Sequence, residues 1–148
     1  GRLGASIVVE KLAGVVLYAH QAKIIWQWLS CLSVAPFVGT RYLHDNDERK
    51  GDSTATFATK LPKTGKYEVR LVYTPNPNRA SNVPVTIKHA DGEAAKTIDQ
   101  RKTPPIDKAF VSLGTFSFSA DAPASVVISN ANTSGHVIVD DVQFLPAK

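Results

Sequence analysis

Two acidic segments of the sequence have the residue types of metal ligands. The segment His44-Asp45-Asn46-Asp47-Glu48 contains a D-x-D pattern that resembles part of a calcium loop, but it lacks the glycine and distal glutamate of an EF-hand, which favours a solvated turn. Asp140-Asp141 lies inside the final predicted strand, where strand alternation turns one carboxylate inward. A buried carboxylate needs a backbone N–H, a cation or calcium as its partner. Glu10 reaches Asp140 if the first and last strands pair, so these two residues are the predicted ligands of a structural calcium ion.

Aromatic side chains beside polar loops are candidate sugar-binding groups, because the apolar face of a pyranose stacks on a flat ring. Most aromatic residues here fall at strand positions, where core packing explains them. Tyr42 and Phe110 fall off that alternation and are the candidates for solvent-facing rings, but core packing is the favoured interpretation for each. The predicted ligand-binding residues are Tyr42, His44, Asp45, Asn46, Asn78, Arg79 and Phe110.

The familiar catalytic signatures do not occur in the sequence. It contains no G-x-S-x-G elbow, no Walker loop, no H-E-x-x-H and no C-x-x-C. The single thiol, Cys31, stands in an apolar stretch and is interpreted as buried and inert. The four histidines fall on different predicted elements. The sequence therefore predicts no catalytic residue and no cofactor other than the calcium ion.

Composition excludes several classes of protein. The chain has 148 residues, 43% hydrophobic and 20% charged, which is typical of a folded chain of one module, predicted here over residues 1–148. The net charge is +4 and the basic residues are scattered, so no nucleic-acid partner is expected. No apolar run reaches the roughly 20 residues of a membrane span. The absence of methionine predicts a fragment or a processed product.

Short alternating segments predict a protein built of strands. Tyr67 to Tyr73 and Val83 to Lys88 alternate apolar and polar residues with period two. Further strands are predicted around Ser53 to Thr59, Thr115 to Phe118 and Val126 to Ser129, and a last one over Val137 to Phe144. Turn residues separate these segments, including Asp91-Gly92 as the centre of a type I′ hairpin. The pattern predicts an all-β fold, a sandwich or a barrel.

The first thirty residues allow two interpretations. Ile7 to Val9 is predicted as a strand. Lys11 to Leu29 approximates a helical spacing, but Gly14 and the many β-branched and aromatic residues favour one or two strands with a loop.

Most of the chain resembles the golvesin C-terminal-like domain, also called the xanthan lyase carbohydrate-binding-like domain. The resemblance covers roughly Trp26 to Pro146. Its segments, in order, are Trp28-x4-Ser33-x2-Pro36-Phe37-Val38-Gly39, Arg41-Tyr42-Leu43-His44-Asp45, Leu61-Pro62-x2-Gly65-x-Tyr67-Glu68-Val69-Arg70, Asn78-Arg79-Ala80-x-Asn82-Val83-Pro84-Val85, His89-Ala90-Asp91-Gly92, Leu113-Gly114-Thr115-Phe116-x-Phe118, Val127-Ile128-Ser129-Asn130 and Gly135-His136-Val137-Ile138-Val139-Asp140-x-Val142-Gln143-Phe144. The N-terminus departs from the family, which usually has an acidic pair after the first strand. Here Glu10-Lys11 is followed by an unusually apolar stretch, Leu12 to Ile25.

The resemblance implies a jelly-roll β-sandwich of the galactose-binding, carbohydrate-binding-module type. Such domains occur at the ends of secreted bacterial lyases, peptidases and FAD-dependent oxidoreductases, which implies a secreted, periplasmic or cell-surface location. The implied function is that of a non-catalytic accessory module that binds polysaccharide through loops and exposed aromatic rings. The alternative is a structural domain that packs against the catalytic domain of its host protein and binds no glycan. An apolar face within Leu12 to Leu29 would favour that alternative.

Overall fold

The fold consists almost entirely of β-strands. The computed structural model of the protein describes residues 14–25, 28–32, 41–48 and 50–147. Within these ranges the strands are β1 (Val15–Leu17), β2 (Lys23–Ile25), β3 (Leu29–Leu32), β4 (Arg41–His44), β5 (Thr54–Thr59), β6 (Gly65–Val72), β7 (Val83–His89), β8 (Gly92–Ile98), β9 (Phe110–Phe118), β10 (Ala124–Ser129), β11 (Ile138–Val139) and β12 (Val142–Pro146). A single turn of 3₁₀ helix, Ala19–Gln21, joins β1 to β2.

The strands form two main sheets and a small third one. One sheet has the order β1-β12-β6-β9 and the other has the order β2-β5-β10-β7-β8. The third sheet, β11-β4-β3, lies beside them and contains Tyr42. Every strand pairing in the described residues is antiparallel. The predicted all-β antiparallel sandwich of the jelly-roll type is confirmed.

The hydrophobic core lies between the two main sheets. The predicted period of two is observed in β6, where Tyr67, Val69 and Leu71 are buried and the residues between them are partly exposed. The same alternation in β5 buries Phe57, which joins one core cluster with residues of both sheets. Phe118 and Phe144 meet edge to face in that cluster, with ring centroids 5.7 Å apart. Alternation therefore sets which side chains face inward, and the two inner faces supply the core.

Residues 14–25 consist mainly of two short strands, as the sequence favours. β1 pairs with β12, so that Val15 lies opposite Phe144 and Leu17 opposite Val142. After the 3₁₀ turn, β2 pairs with β5. The helical alternative is wrong for residues 14–25. The predicted strand Ile7 to Val9 and the predicted ligand Glu10 lie outside the described residues.

Two local predictions differ from the structure. The hairpin between β7 and β8 is present, but His89 pairs with Gly92, so its two turn residues are Ala90 and Asp91. Gly92 follows the turn with a φ of 129°, a value that a residue with a side chain rarely adopts. The predicted final strand is interrupted at Asp140-Asp141, and β11 and β12 belong to different sheets. The acidic pair therefore marks the point where the chain changes sheets.

Among the described residues, no helix is long and apolar enough to cross a bilayer.

Candidate functional site

Most of the predicted ligand-binding residues lie on loops that leave one end of the sandwich, or at the strand ends beside them. The register places Ser129 opposite Thr54, Val83 opposite Ile98 and Val72 opposite Phe110. The loops attached to these strand ends therefore share one end of the molecule, which we call the loop-rich end. It comprises residues 45–48, 50–53, 73–82, 99–109 and 130–137.

The centre of the loop-rich end is the buried carboxylate of Asp45. Its Oδ2 accepts hydrogen bonds from Lys50 Nζ at 2.7 Å and from Asn130 Nδ2 at 3.0 Å. Its Oδ1 accepts from the backbone N–H groups of Asp47 and Val137, each at 2.9 Å. We call Asp45, Lys50 and Asn130 the Asp45 clamp. Because these donors come from separate loops, one carboxylate fixes the loop after β4 against the loop before β11.

Asn130 and Gly135 extend the clamp. Asn130 Oδ1 accepts hydrogen bonds from the backbone N–H groups of Gly51 at 2.9 Å and Ser53 at 3.2 Å. Lys50 Nζ also donates to the carbonyl oxygen of Gly135 at 2.7 Å. Gly135 has a φ of 103°, and a Cβ at this position would lie 2.8 Å from the carbonyl oxygen of Arg79. Only glycine therefore allows the backbone at residue 135 to approach the backbone at residue 79.

The clamp holds Asp45 in its charged form. Burial alone would raise the pKa of Asp45, but the hydrogen bonds from Lys50, Val137 and Asn130 outweigh it, so the pKa lies below its ordinary value. Because Asp45 stays ionised and both of its oxygens accept hydrogen bonds, its role is to position the loops, and it is a poor proton donor. Sequence analysis interpreted this segment as a solvated turn, which is wrong for Asp45 but fits the exposed Asn46, Asp47 and Glu48.

Beside the clamp, five residues form a polar corner that we call the Arg79 corner. They are Tyr42, His44, Asn78, Arg79 and His136. The His44 and His136 rings lie 5.5 Å apart between centroids. The Arg79 guanidinium carbon lies 5.6 Å from the centroid of the Tyr42 ring, and Arg79 Nη1 donates to Asn78 Oδ1 at 2.9 Å. Asn78 is exposed and both histidines are half-buried, so the corner opens to solvent.

Two of the predicted residues do not face solvent. Tyr42 is 7% exposed and Phe110 is 2% exposed, so the favoured interpretation, core packing, describes both rings, and neither ring is presented to a sugar. Tyr42 lies on β4 of the third sheet, and its side chain packs in the main hydrophobic core cluster. Phe110 packs with Val72 and Ala109 in a separate small cluster. The structure brings together the other predicted residues, which are His44, Asp45, Asn46, Asn78 and Arg79.

Four residues that build this end were not predicted as site residues from the sequence: Lys50, Gln100, Asn130 and His136. Gln100 is fully buried and pairs with the backbone of Ile138, donating to its carbonyl oxygen at 2.9 Å and accepting from its N–H at 2.8 Å. Two of these residues, Asn130 and His136, stand in segments that the chain shares with the family, and those segments indicated their positions but not their chemistry.

A second polar group, Asp140 and Asp141, lies deeper in the fold. Asp140 is 0% exposed, and within the described residues neither of its carboxylate oxygens accepts a hydrogen bond from a donor group. Asp141 Oδ1 accepts from the Ala19 N–H at 3.0 Å, and its Oδ2 has no such partner. β1 pairs with β12, and the two residues that follow β1 are Tyr18 and Ala19, which carry no carboxylate.

Comparison with known proteins identifies the family. A sequence model of the Golvesin C-terminal domain matches residues 16–146. This chain belongs to the golvesin C-terminal domain family. The resemblance predicted from the sequence is confirmed.

Relatives of this golvesin C-terminal domain include parts of much larger enzymes. The xanthan lyase of Bacillus sp. (strain GL1) is 34% identical over 121 residues, which are 80% of this chain and 13% of the lyase. The structure of Paenibacillus xanthan lyase matches 90% of this chain and 13% of its own with a TM-score of 0.83 and 27% identity. The chain therefore spans about an eighth of the length of these relatives.

Carbohydrate-binding modules share the fold of the domain. The mannan binding module from Man5C in its bound conformation matches 91% of this chain and 100% of the module, with a TM-score of 0.60 and 15% identity. The GH26-CBM35 β-(1,4)-mannanase of Podospora anserina matches 90% of this chain and 28% of its own, with a TM-score of 0.65 and 15% identity. At these identities the likeness concerns the fold alone.

In this golvesin C-terminal domain the two buried aspartates titrate as a pair. Burial raises the pKa of Asp140 well above its ordinary value, and the neighbouring Asp141 raises it further. Burial also raises the pKa of Asp141 to about 7, against the opposing hydrogen bond from Ala19. When one of the two carboxyl groups is protonated, it can donate a hydrogen bond to the other. Two charged carboxylates have no proton to donate and repel each other.

The pair predicts that the domain loses stability as pH rises from about 4 to about 7. In this window the folded state binds more protons than the unfolded state, in which both aspartates have ordinary pKa values near 3.8. The free energy of unfolding, measured by urea denaturation in EDTA, should fall by more than about 1 kcal/mol over the window. Asp140→Asn should flatten this dependence. A wild-type curve that is flat or rises between pH 4 and 7 would contradict it.

Proposed function

We propose that this domain is a non-catalytic accessory module that binds polysaccharide at the Arg79 corner. Its host is proposed to be a larger secreted bacterial protein, because the chain matches only about an eighth of the xanthan lyases. The observation that carries the proposal is the corner itself. Polar side chains from three separate loops or strands meet there on a backbone that the Asp45 clamp holds rigid.

The corner has the groups that hydroxyl-rich ligands need. His44 Nδ1 accepts a hydrogen bond from the Asn46 N–H at 3.1 Å, so Nε2 is the nitrogen left to meet a ligand. Asn78 is exposed and carries an amide, which both donates and accepts. Tyr42 contributes indirectly, because its ring lies against the Arg79 guanidinium and helps to hold it in place. The polysaccharide is therefore bound by hydrogen bonds at a preorganised corner, and not by stacking on exposed aromatic rings.

The acidic residues support a binding role over a catalytic one. Asp45 is ionised and engaged by four donors, so it has no proton to give. Asp140 and Asp141 are buried and out of reach of a polymer on the surface. Acid–base catalysis needs a titratable group within hydrogen-bond reach of the substrate. Neither group of carboxylates meets that requirement.

Substitutions in the corner test the proposal. His44→Ala and Asn78→Ala should each weaken retention by the bound polysaccharide about fivefold, because each removes a ligand hydrogen bond of about 1 kcal/mol. Affinity electrophoresis in gels that contain single polysaccharides measures the retention, after a glycan array has identified which ones bind. Asp121→Ala, at the opposite end of the sandwich, is the matched control and should bind as the wild type does. Full retention of both corner variants would place the binding site elsewhere.

A specific observation favours the alternative of a structural docking domain. Ile24, Ile25 and Leu29 are 45%, 54% and 42% exposed, and they lie on two sheet-edge strands, β2 and β3. Apolar side chains of this size at an edge suit an interface with a neighbouring domain. If the array shows no retention of the wild type, and Ile24→Ser with Ile25→Ser abolishes self-association in size-exclusion chromatography, the docking role replaces the binding role.

We infer that the aspartate pair is the place for the predicted structural calcium ion. The fit is one of chemistry: calcium takes roughly six to eight oxygen ligands, and three buried carboxylate oxygens at Asp140 and Asp141 have no donor in the described residues. The cation would be held by these oxygens and would neutralise the repulsion between the two carboxylates. Glu10 remains a proposed ligand and lies outside the described residues.

The calcium proposal predicts a cation-dependent melting temperature. Millimolar Ca²⁺ should raise the Tm at pH 7.5 by several degrees over EDTA, because an ion that binds only the folded state stabilises it. Asp140→Asn should remove the difference, whereas Asp107→Asn, on an exposed turn, should keep it. Equal Tm values for the wild type in Ca²⁺ and EDTA would refute the site.

A further inference from the structure

Arg79 is an almost buried cation with no anionic partner among the residues that the structure describes. The residue is 9% exposed, and its Nε donates to the carbonyl oxygen of Thr74 at 3.1 Å. Its Nη1 donates to Asn78 Oδ1, a neutral acceptor. None of the salt bridges among the described residues includes Arg79. Removing a guanidinium from water without pairing it is costly, and a fold tolerates this mainly where something else compensates the charge.

One edge of the guanidinium remains available. Arg79 Nη2 makes no hydrogen bond within the described residues, and it is not sealed away from solvent. The other two nitrogens are used for positioning, and the Tyr42 ring lies against the group. These contacts hold the guanidinium in a fixed orientation and leave Nη2 as the nitrogen that can donate to a ligand. An arginine oriented in this way is suited to recognise a carboxylate.

The acidic groups nearby are committed elsewhere. Asp45 and Asp47 share Lys50, with Nζ to oxygen distances of 2.7 and 3.2 Å. Asp47 Oδ1 also accepts from the Gly135 N–H at 3.0 Å, and Glu48 accepts from the Asn46 amide. Asp99, on the next loop, pairs with Arg101 at 3.0 Å. No described carboxylate lies within salt-bridge distance of Arg79, so its charge is left for a ligand.

The His44 imidazole beside Arg79 makes the charge of the corner depend on pH. Burial lowers the pKa of His44, and the neighbouring His136 and Arg79 lower it further, while Asp45 opposes them. The strands that flank His44 add no charge, because the residues opposite it are Leu29 and Ile138. A bound anion would offset this repulsion and favour the protonated form of His44.

We propose that the ligand of the Arg79 corner is an acidic polysaccharide, and that a uronic acid carboxylate binds Arg79 Nη2 with His44 and His136 as additional donors. The inference rests on the proposed glycan-binding function and names its ligand class. Asn78 holds Arg79 Nη1 and faces the sugar hydroxyls. A neutral glycan leaves the guanidinium without a counter-charge, and it is therefore bound more weakly than its acidic counterpart.

The experiment compares each acidic glycan with its own uncharged form. Isothermal titration calorimetry of the whole chain uses oligomers of galacturonate, mannuronate and guluronate, each also after reduction of its carboxyl groups to alcohols. A neutral mannan oligomer and a sulfated dextran oligomer complete the set. At pH 5.5 at least one oligouronate should bind roughly tenfold more tightly than its reduced form, because charge-assisted hydrogen bonds are lost on reduction. The same oligouronate should bind severalfold more weakly at pH 8.0, where the His44 imidazole is neutral and the corner carries less positive charge.

Variants separate the corner from general charge. Arg79→Gln should remove the preference for the acidic form, whereas Arg101→Gln, an exposed arginine at the same end, should retain it. Because Arg79→Gln also loses the bond to Thr74, the variant pair His44→Gln with His136→Gln is tested as well. This pair should keep part of the preference but lose its pH dependence. Circular dichroism confirms that each variant is folded.

The outcomes distinguish this inference from the function on which it rests. Equal binding of acidic and reduced oligomers, or binding of mannan alone, refutes the acidic ligand and leaves the glycan-binding function in place. Binding of the sulfated oligomer alone refutes a carboxylate as the recognised group. Binding of none of the oligomers refutes both the ligand class and the glycan-binding function.

Discussion

The loop-rich end of this domain depends on one buried carboxylate. Asp45 lies between the end of β4 and the loop that precedes β11, and it accepts hydrogen bonds from both sides. A buried charge is stabilising only when it is fully paired, so Lys50 and Asn130 are as necessary to the arrangement as Asp45 itself. The remaining contacts of this end follow from that constraint.

The clamp explains how a rigid sandwich presents a polar corner. Gly135 is held by Lys50 on one side and lies against the Arg79 backbone on the other, and this approach brings His136 beside His44. Arg79 is in turn fixed by Thr74 and Asn78. The corner is thus assembled from segments that lie far apart in the sequence, and its groups lose little conformational freedom when a ligand binds.

The sequence predicted the fold well because the pattern that carries it is local. Tyr67, Val69 and Leu71 alternate within one strand, and the same period identifies which face is buried without knowledge of the partner strand. The segments shared with the family placed the chain among golvesin C-terminal domains. The break of the last predicted strand at Asp140 was not predicted, because alternation cannot show that β11 and β12 pair with different neighbours.

The site was only partly predictable because its contacts are long-range. Asn130 lies 85 residues from Asp45 in the sequence, and Val137 lies 92 residues away. No spacing rule connects such residues, and an asparagine after a strand is otherwise a sign of a turn. Core packing was favoured for Tyr42, and the structure buries it, but alternation within one strand could not predict that β4 belongs to the small sheet β11-β4-β3.

Hydrogen exchange of the backbone amides in Asp45→Asn tests the clamp most directly. Asn keeps the size of the side chain but removes the charge that Lys50 and the two backbone N–H groups share. The account predicts that amides of residues 45–48, 50–53 and 130–137 exchange faster by roughly tenfold or more, while those of β6 and β7 keep their protection. An exchange pattern unchanged in these loops, or accelerated equally throughout the sandwich, would contradict the central role of Asp45.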